Sequence, residues 1–375
     1  MSLGNQVTIK GIMPVREFIK SDVPQVVTLF WKFMLPRSGD IPNALYTAFT
    51  DLYFCNPMVD ARGPSFVYED VSGDIVGFLG VTNRRMCLRG EPIRVGYAGN
   101  FVIHPNARSG LAAPGLLGAF VAGNHDLLLT DSANDITCHL LHRLAFKTIP
   151  ALNIHWIRPL SVGQCAVYAA SRGMSPALAS SIRIATKPFS LIVDRLTRKL
   201  LNPGPVSRTR LHPEELSPGT LLQCLSESQK AYSLWPDYNA QSLQWVLQFM
   251  RRNQKRGTLR CIALRDESLR IVGWYLYHTR PGAVGEVVQV GGQPDVFQTV
   301  LEHLFQDARE QEVIALQGVA DYRRLGDFSD KGCYFTCRGG WAVAHSRRSE
   351  LLEILKRGDA LLTRLDGEWC LSPGV

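Results

Sequence analysis

The stretch Phe101–Leu117, FVIHPNARSGLAAPGLL, decides how this chain is read. An apolar run ends at His104-Pro105. A loop of Asn106, Ala107, Arg108, Ser109 and Gly110 follows, and a helix is predicted to begin near Pro114. Strand, small-residue loop and helix N-terminus together make an anion site. First-turn N–H groups lack intrahelical partners, and the helix dipole favours negative charge there. Proline suits that turn, because the N–H it lacks would be unpaired anyway.

Working outward, Leu127, Leu128, Leu129 and Thr130 form a short apolar run, and Asp131-Ser132-Ala133-Asn134 supplies helix-start chemistry. Ile136, Leu140, Leu141 and Leu144 then mark one face of a helix that closes on Ala145-Phe146. Upstream, Val15-Arg16-Glu17-Phe18 precedes a helix opened by Asp22-Val23-Pro24, with Val23, Val26, Val27, Phe30, Trp31 and Met34 apolar.

In these three parts, in this order, the chain resembles the GNAT acyltransferase superfamily, whose members transfer an acyl group from coenzyme A to an amine. Residues 15–34 resemble its first strand and helix. The strand ending in Ile103-His104-Pro105, with Arg108 after it, resembles its pyrophosphate motif. Asn134-x-x-Thr137-x-x-Leu140-Leu141-x-x-Leu144-Ala145-Phe146 has the spacing of its later helix. The resemblance implies acetyl-CoA or another acyl-CoA as co-substrate. It would be held by Phe101, Val102 and Ile103 on the strand, by Arg108, Ser109, Gly110, Leu111, Ala112 and Ala113 in the loop, and by Asn134. The family's loop usually carries two glycines after the arginine. Here Leu111 and Ala113 fall there without a gap, or Gly110 and Ala112 with one residue deleted. Small residues are present in either register, so backbone can approach a pyrophosphate. Leu141 stands where many relatives carry a tyrosine acid, and Gly99 where many carry a strand carboxylate.

Composition sets the outer limits. A chain of 375 residues, 46% hydrophobic and 20% charged, buries a large core and is expected to fold as two domains. No apolar run is long enough to span a bilayer, since Leu111–Leu129 is interrupted by Pro114, His125 and Asp126. No signal peptide is read near Lys10. Nine cysteines lack paired spacing, so we expect reduced thiols, no metal and a cytoplasmic protein.

Net charge is +8 and the pI is near 9.1. Arg183, Lys187, Arg195, Arg198, Lys199, Arg208 and Arg210 cluster with Asp194 the single acid among them. This stretch reads either as a solvated linker or as a docking patch. An acidic partner there would be coenzyme phosphates, an acyl carrier protein or an anionic membrane face. Nucleic acid is disfavoured, because stacking aromatics do not interleave with the basic residues.

The fold class expected is α/β (α+β): two acyl-CoA N-acyltransferase-like domains, each a mixed, largely antiparallel sheet flanked by helices. We place the first domain at 1–160, a helical basic connector at 161–210, and a second, degenerate copy at 211–375. In the first half a helix is predicted over Pro42–Phe54. Ser65–Glu69 and Ile75–Val81 form a hairpin, and Ile154–Ile157 could add a last strand. In the second half, Glu286–Val290 leads through Gly291-Gly292-Gln293-Pro294 into a helix with Val296, Phe297, Val300, Leu301, Leu304 and Phe305 apolar. Gly291-Gly292 reads as a tight turn or a phosphate cradle, without an arginine to support the latter.

Amine acylation needs a neutral amine, a donor for the developing oxyanion and a proton for the leaving thiolate. A backbone N–H on Phe101–Ile103 could serve the oxyanion if a splay or bulge exposes it. Tyr97, Asp131 and, through water, Glu69 are candidate bases, and Asn100 could orient an acceptor. Each also has a plainer role: core-edge aromatic for Tyr97, helix cap for Asp131, solvated strand residue for Glu69. Asn134 could likewise cap its helix. The function expected is transfer of an acyl group, acetyl in the first instance, to a primary amine on a small or amphipathic acceptor. The alternative is a non-catalytic acyl-CoA-binding or scaffold protein, motivated by Leu141 and Gly99.

Overall fold

In the computed structural model the described residues are 14–35, 39–60, 62–108, 110–171, 186, 193, 211–337 and 340–373. The basic cluster from Arg183 to Arg210 and Ser109 lie outside them.

Strand β1 (Val15–Glu17) leads into α1 (Val23–Met34) and α2 (Asn43–Thr50), and α2 runs on into a π-helical turn at Asp51–Cys55. Then come β2 (Phe66–Glu69), β3 (Ile75–Leu88), β4 (Glu91–Ile103), α3 (Ala112–Ala122), β5 (Leu127–Ala133) and α4 (Asp135–Arg143). These are followed by β6 (Lys147–Thr148), β7 (His155–Pro159) and α5 (Val162–Ala170). The second half runs β8 (His212–Glu215), α6 (Pro218–Ser228), β9 (Leu234–Pro236), α7 (Ala240–Arg252), β10 (Thr258–Arg265), β11 (Ile271–Thr279) and β12 (Val284–Gly292). It continues with α8 (Phe297–Glu310), β13 (Ala315–Val319), α9 (Leu325–Asp330), β14 (Tyr334–Thr336), β15 (Trp341–His345), α10 (Ser349–Lys356) and α11 (Glu368–Leu371).

The strands form two mixed sheets flanked by helices. One takes the order β1-β2-β3-β4-β5-β15-β6, with β9 beside β3; the other takes β14-β7-β13-β12-β11-β10-β8. Parallel pairs occur at β4–β5 and at β12–β13, and the remaining neighbours whose register is resolved are antiparallel. Two strands pair away from the half of the chain that carries them. Residues 155–159, read as a last strand of the first half, pair with β13 and β14 of the other sheet. The strand beside β5 is instead β15, from residues 341–345. Strand pairing at such separation leaves no mark on local periodicity.

The chain divides into two compact units. One comprises the described residues of Met1–Cys55, Val59–Thr82 and Ala98–Asn124, the other those of Asn56–Met58, Asn83–Tyr97 and His125–Val375. In the first, α1 buries Val23, Val26, Val27, Phe30 and Trp31, the 3.6-residue stripe seen in the sequence, while Met34 is exposed. Phe18, Phe49, Tyr53 and Phe78 form its aromatic centre, with ring centroids 4.9–6.1 Å apart. In the second unit, Met86, Val95, Tyr97, Leu127, Leu129, Leu234, Ala344 and Leu355 belong to one core. Trp156, Tyr275, Tyr277, Phe297, Val300, Leu301, Leu304, Phe305 and Phe328 belong to another.

Helix α4 corrects one detail. Its buried residues are Cys138 and Leu141, and Ile136 is 75% exposed, so Ile136 does not share the apolar face. Among the described residues, no helix is long and apolar enough to cross a membrane, and no cluster of His, Cys, Asp and Glu could hold a metal ion.

Candidate active site

In the first unit β4 is interrupted at Asn100, whose φ is +51°. A left-handed residue inside a strand turns the next peptide out of the regular ladder, and asparagine tolerates that conformation better than most residues. Of the five non-glycine residues with positive φ among those described, Arg89, Ala145, Leu269 and Glu312 lie in turns or bends. Asn100 alone lies inside a strand. Its side chain is buried, and Nδ2 donates to the Tyr53 hydroxyl at 2.8 Å. This left-handed residue directly precedes Phe101–Ile103, the segment on which an oxyanion donor is expected.

Beyond Ile103 the chain turns through a short 3₁₀ segment, Pro105–Ala107, that His104 caps by accepting from the Asn106 N–H. Helix α3 begins two residues earlier than Pro114 predicts, and its N-cap, Leu111, gives its first turn no side-chain acceptor. Leu111 is 73% exposed. Among the described residues, a Cβ placed on Gly110 would meet only the Ala107 carbonyl, at 3.6 Å, and these residues leave the loop open above it. Arg108 is exposed, and Nε donates to the Ile103 carbonyl at 3.4 Å. Open space at Gly110, an uncapped helix start and a nearby guanidinium fit a diphosphate.

Elsewhere in this unit Glu69 accepts from Arg16 Nε at 2.6 Å, while Arg16 also holds Asp22. That carboxylate serves a structural ion pair.

The second unit brings Tyr97 and Asp131 together. Tyr97 is buried among core side chains, and its phenol is pushed well above its usual range, first by burial and then by the Asp366 and Asp131 charges. It stays protonated at neutral pH. Tyr97, Arg84, Tyr238, Asp366 and Met58 surround a void of about 10 Å³, room for about one water. Burial also raises the Asp131 carboxyl, while N–H groups of Trp369 and Glu368 pull it back. Asp131 Oδ1 has no partner, and a Cβ on Gly367 would strike Oδ2. Asp131 thus sits as an acceptor at the start of α11. Asn134 caps α4, accepting from the Thr137 N–H at 2.9 Å. Leu141 is buried.

The second unit also encloses a cavity of 440 Å³, whose walls include Trp274, Gln289, Gly291, Phe297, Tyr232 and Arg324. Parallel pairing of β12 with β13 covers Val284–Glu286, and residues beyond it on both strands face the cavity. A Cβ on Gly291 would collide with the Trp274 indole, and one on Gly292 would come within 3.0 Å of the Val272 carbonyl. The room at these glycines is taken by the protein itself. Both glycines are still paired in the β11–β12 ladder, Gly291 with Trp274 and Gly292 with Gly273, so neither the tight-turn reading nor the phosphate-cradle reading describes them.

Sequence reasoning missed Tyr53. Its one signal was Gly80 inside an apolar strand, which marks a close approach: a Cβ there would collide with the Tyr53 hydroxyl.

No protein-family model matches the chain, and no curated protein is similar to it in sequence. In fold it is similar to a conserved protein of unknown function from Enterococcus faecalis V583, a probable N-acyltransferase. The two are 9% identical over 88% of this chain and 72% of that one, with a TM-score of 0.59. A GCN5-related N-acetyltransferase from Anabaena variabilis ATCC 29413 aligns with 10% identity over 88% and 72%, TM-score 0.56. The N-myristoyltransferase of Saccharomyces cerevisiae, solved with bound myristoyl-CoA, aligns with 10% identity over 88% and 77%, TM-score 0.51. The chain has the GNAT-type acyltransferase fold.

Proposed function

We propose that this protein transfers an acyl group, acetyl in the first instance, from acyl-CoA to a primary amine. The observation that carries this reading is the left-handed Asn100. It stands just before Phe101–Ile103, on a strand that runs into an open loop and an uncapped helix start. The thioester supplies an activated carbonyl: the amine nitrogen bonds to its carbon, the carbon–sulfur bond breaks with its electron pair on sulfur, and nitrogen loses a proton.

The chain's residues divide the remaining work. Arg108 and the first-turn N–H groups of Ala112 and Ala113 hold the pyrophosphate, with Gly110 and Leu111 shaping the loop. Backbone on Phe101, Val102 and Ile103 aligns the coenzyme arm, and one N–H there faces the carbonyl oxygen. For the protons, the second unit brings together a carboxyl raised by burial, Asp131, as a candidate base, and a protonated phenol, Tyr97, as a candidate acid. The basic stretch from Arg183 to Arg210 would meet an acidic partner, an acyl carrier protein or an anionic surface.

A second reading, acyl-CoA binding without catalysis, is favoured by the engagement of Asp131 with Glu368 and Trp369 and by the burial of Leu141. Thiol release from acetyl-CoA over a mixed panel of amines separates the two. Amine-dependent release is expected, falling at least ~100-fold in Gly110→Trp, which fills the loop; that is about 2.7 kcal/mol of lost transition-state stabilisation. Binding without release on any amine would establish the second reading instead.

A further inference from the structure

We infer that Tyr53 is a positioning residue of the acyl-transfer site, holding the break in β4 through Asn100. The inference rests on the function proposed above, and every residue it uses lies in the first unit.

The break needs something to hold it. A left-handed asparagine is less stable than an extended one, and such conformations persist where surrounding groups over-determine them. Here the surroundings are specific. Asn100 is 7% exposed, and its amide Nδ2 reaches the Tyr53 hydroxyl at 2.8 Å. Were β4 regular at this point, the side chain would point elsewhere and leave that bond.

Tyr53 is fixed independently. It comes from the π-helical turn Asp51–Cys55 that continues α2, and such turns are rare and frequently found at functional sites. Its ring is wedged edge-on against Phe18 and Phe78, at centroid distances of 5.7 and 5.4 Å, and tilted against Phe49 at 5.7 Å. Tyr53 is itself 7% exposed. The hydroxyl occupies the space a side chain on Gly80 would need, and that same Cβ would lie 2.9 Å from the Gly99 carbonyl. Gly80 therefore opens the slot through which Tyr53 reaches the backbone next to the break. Packed rings, an irregular helical turn and a strand glycine converge on one hydrogen bond, and that bond ends on the residue preceding Phe101.

Tyr53 touches neither the coenzyme nor the amine in this account; its effect is on where the Phe101–Ile103 donor points. Removing one oxyanion donor costs ~100–1,000-fold in kcat, and a displaced donor costs part of that. Tyr53→Phe keeps the ring and removes the bond, so kcat should fall about tenfold or more while KM for acetyl-CoA changes less than about twofold. Glycine adopts the left-handed conformation without the Cβ penalty. The double variant Tyr53→Phe/Asn100→Gly should therefore recover most of the lost kcat, a rescue that a purely structural role for Tyr53 would not give. Amide exchange at residues 100–102, read alongside the kinetics, should quicken in Tyr53→Phe. Wild-type turnover with an unchanged kcat in Tyr53→Phe, or a loss that Asn100→Gly does not rescue, overturns the inference. A wild-type chain that turns over no amine overturns the functional reading; the exchange data then judge the latch alone, and unchanged exchange rejects it.

Discussion

Two strand–turn–helix units in this molecule look alike on paper and differ in substance. In β4–α3 the glycine of the loop, Gly110, has open space above it, and Arg108 stands beside a helix start without a side-chain cap. In β12–α8 the paired glycines look better suited to a phosphate, yet Trp274 and the Val272 carbonyl occupy the volume that glycine leaves. Glycine before a helix signals a close approach; whether a ligand or the protein's own side chain makes that approach is decided in three dimensions. The second unit instead has the 440 Å³ cavity walled by Trp274, Phe297 and their neighbours, within the size range of small-molecule sites.

That contrast can be sharpened by perturbing the second sheet alone. His278 on β11 is fully buried, and burial lowers its pKa from 6.5 to about 4. Between those values the unfolded chain takes up a proton that the native ring refuses, so acidification favours unfolding. The stability at issue is complete above pH ~6.5 and is lost as pH falls toward ~4, amounting to up to about 3 kcal/mol. Denaturant midpoints measured across that window should fall more steeply for wild type than for His278→Phe, and parallel slopes would show that the ring is protonated in the native state.

A smaller effect is expected at the end of β12. Gly291→Ala drives a methyl group into the Trp274 ring, and overpacking of this kind costs about 1–3 kcal/mol. The folded variant should bind acetyl-CoA as wild type does. A stable protein that loses acetyl-CoA affinity would mean that the second turn, and not only the first, meets the coenzyme.

Much of this was legible in the sequence. The 3.6-residue stripes of α1 and α8 located helices whose apolar faces are largely buried, and the runs Ser65–Glu69 and Ile75–Val81 located a hairpin. The loop around Arg108 was legible because helix starts and small residues have local signatures. What escaped is what depends on distant partners. Nothing near residues 341–345 says that they pair with β5, and nothing near 155–159 says that they join β13. Ile136 fitted a helical stripe by spacing, but α4 turns Cys138 and Leu141 inward instead. Asp131 read as a helix cap or a base, and the helix start it serves lies more than 230 residues along the chain, at Glu368–Trp369. Tyr53 read as one more aromatic on a predicted helix, because a π-helical turn has no pattern of its own.

Under the proposed function, the first of the two strand–turn–helix units receives the coenzyme. Calorimetric titration of the intact chain with acetyl-CoA tests it most directly. One molecule bound per chain, with binding lost in Gly110→Trp and retained in Gly292→Ala, is the result predicted. Two molecules per chain, or a single site that survives Gly110→Trp, would contradict it.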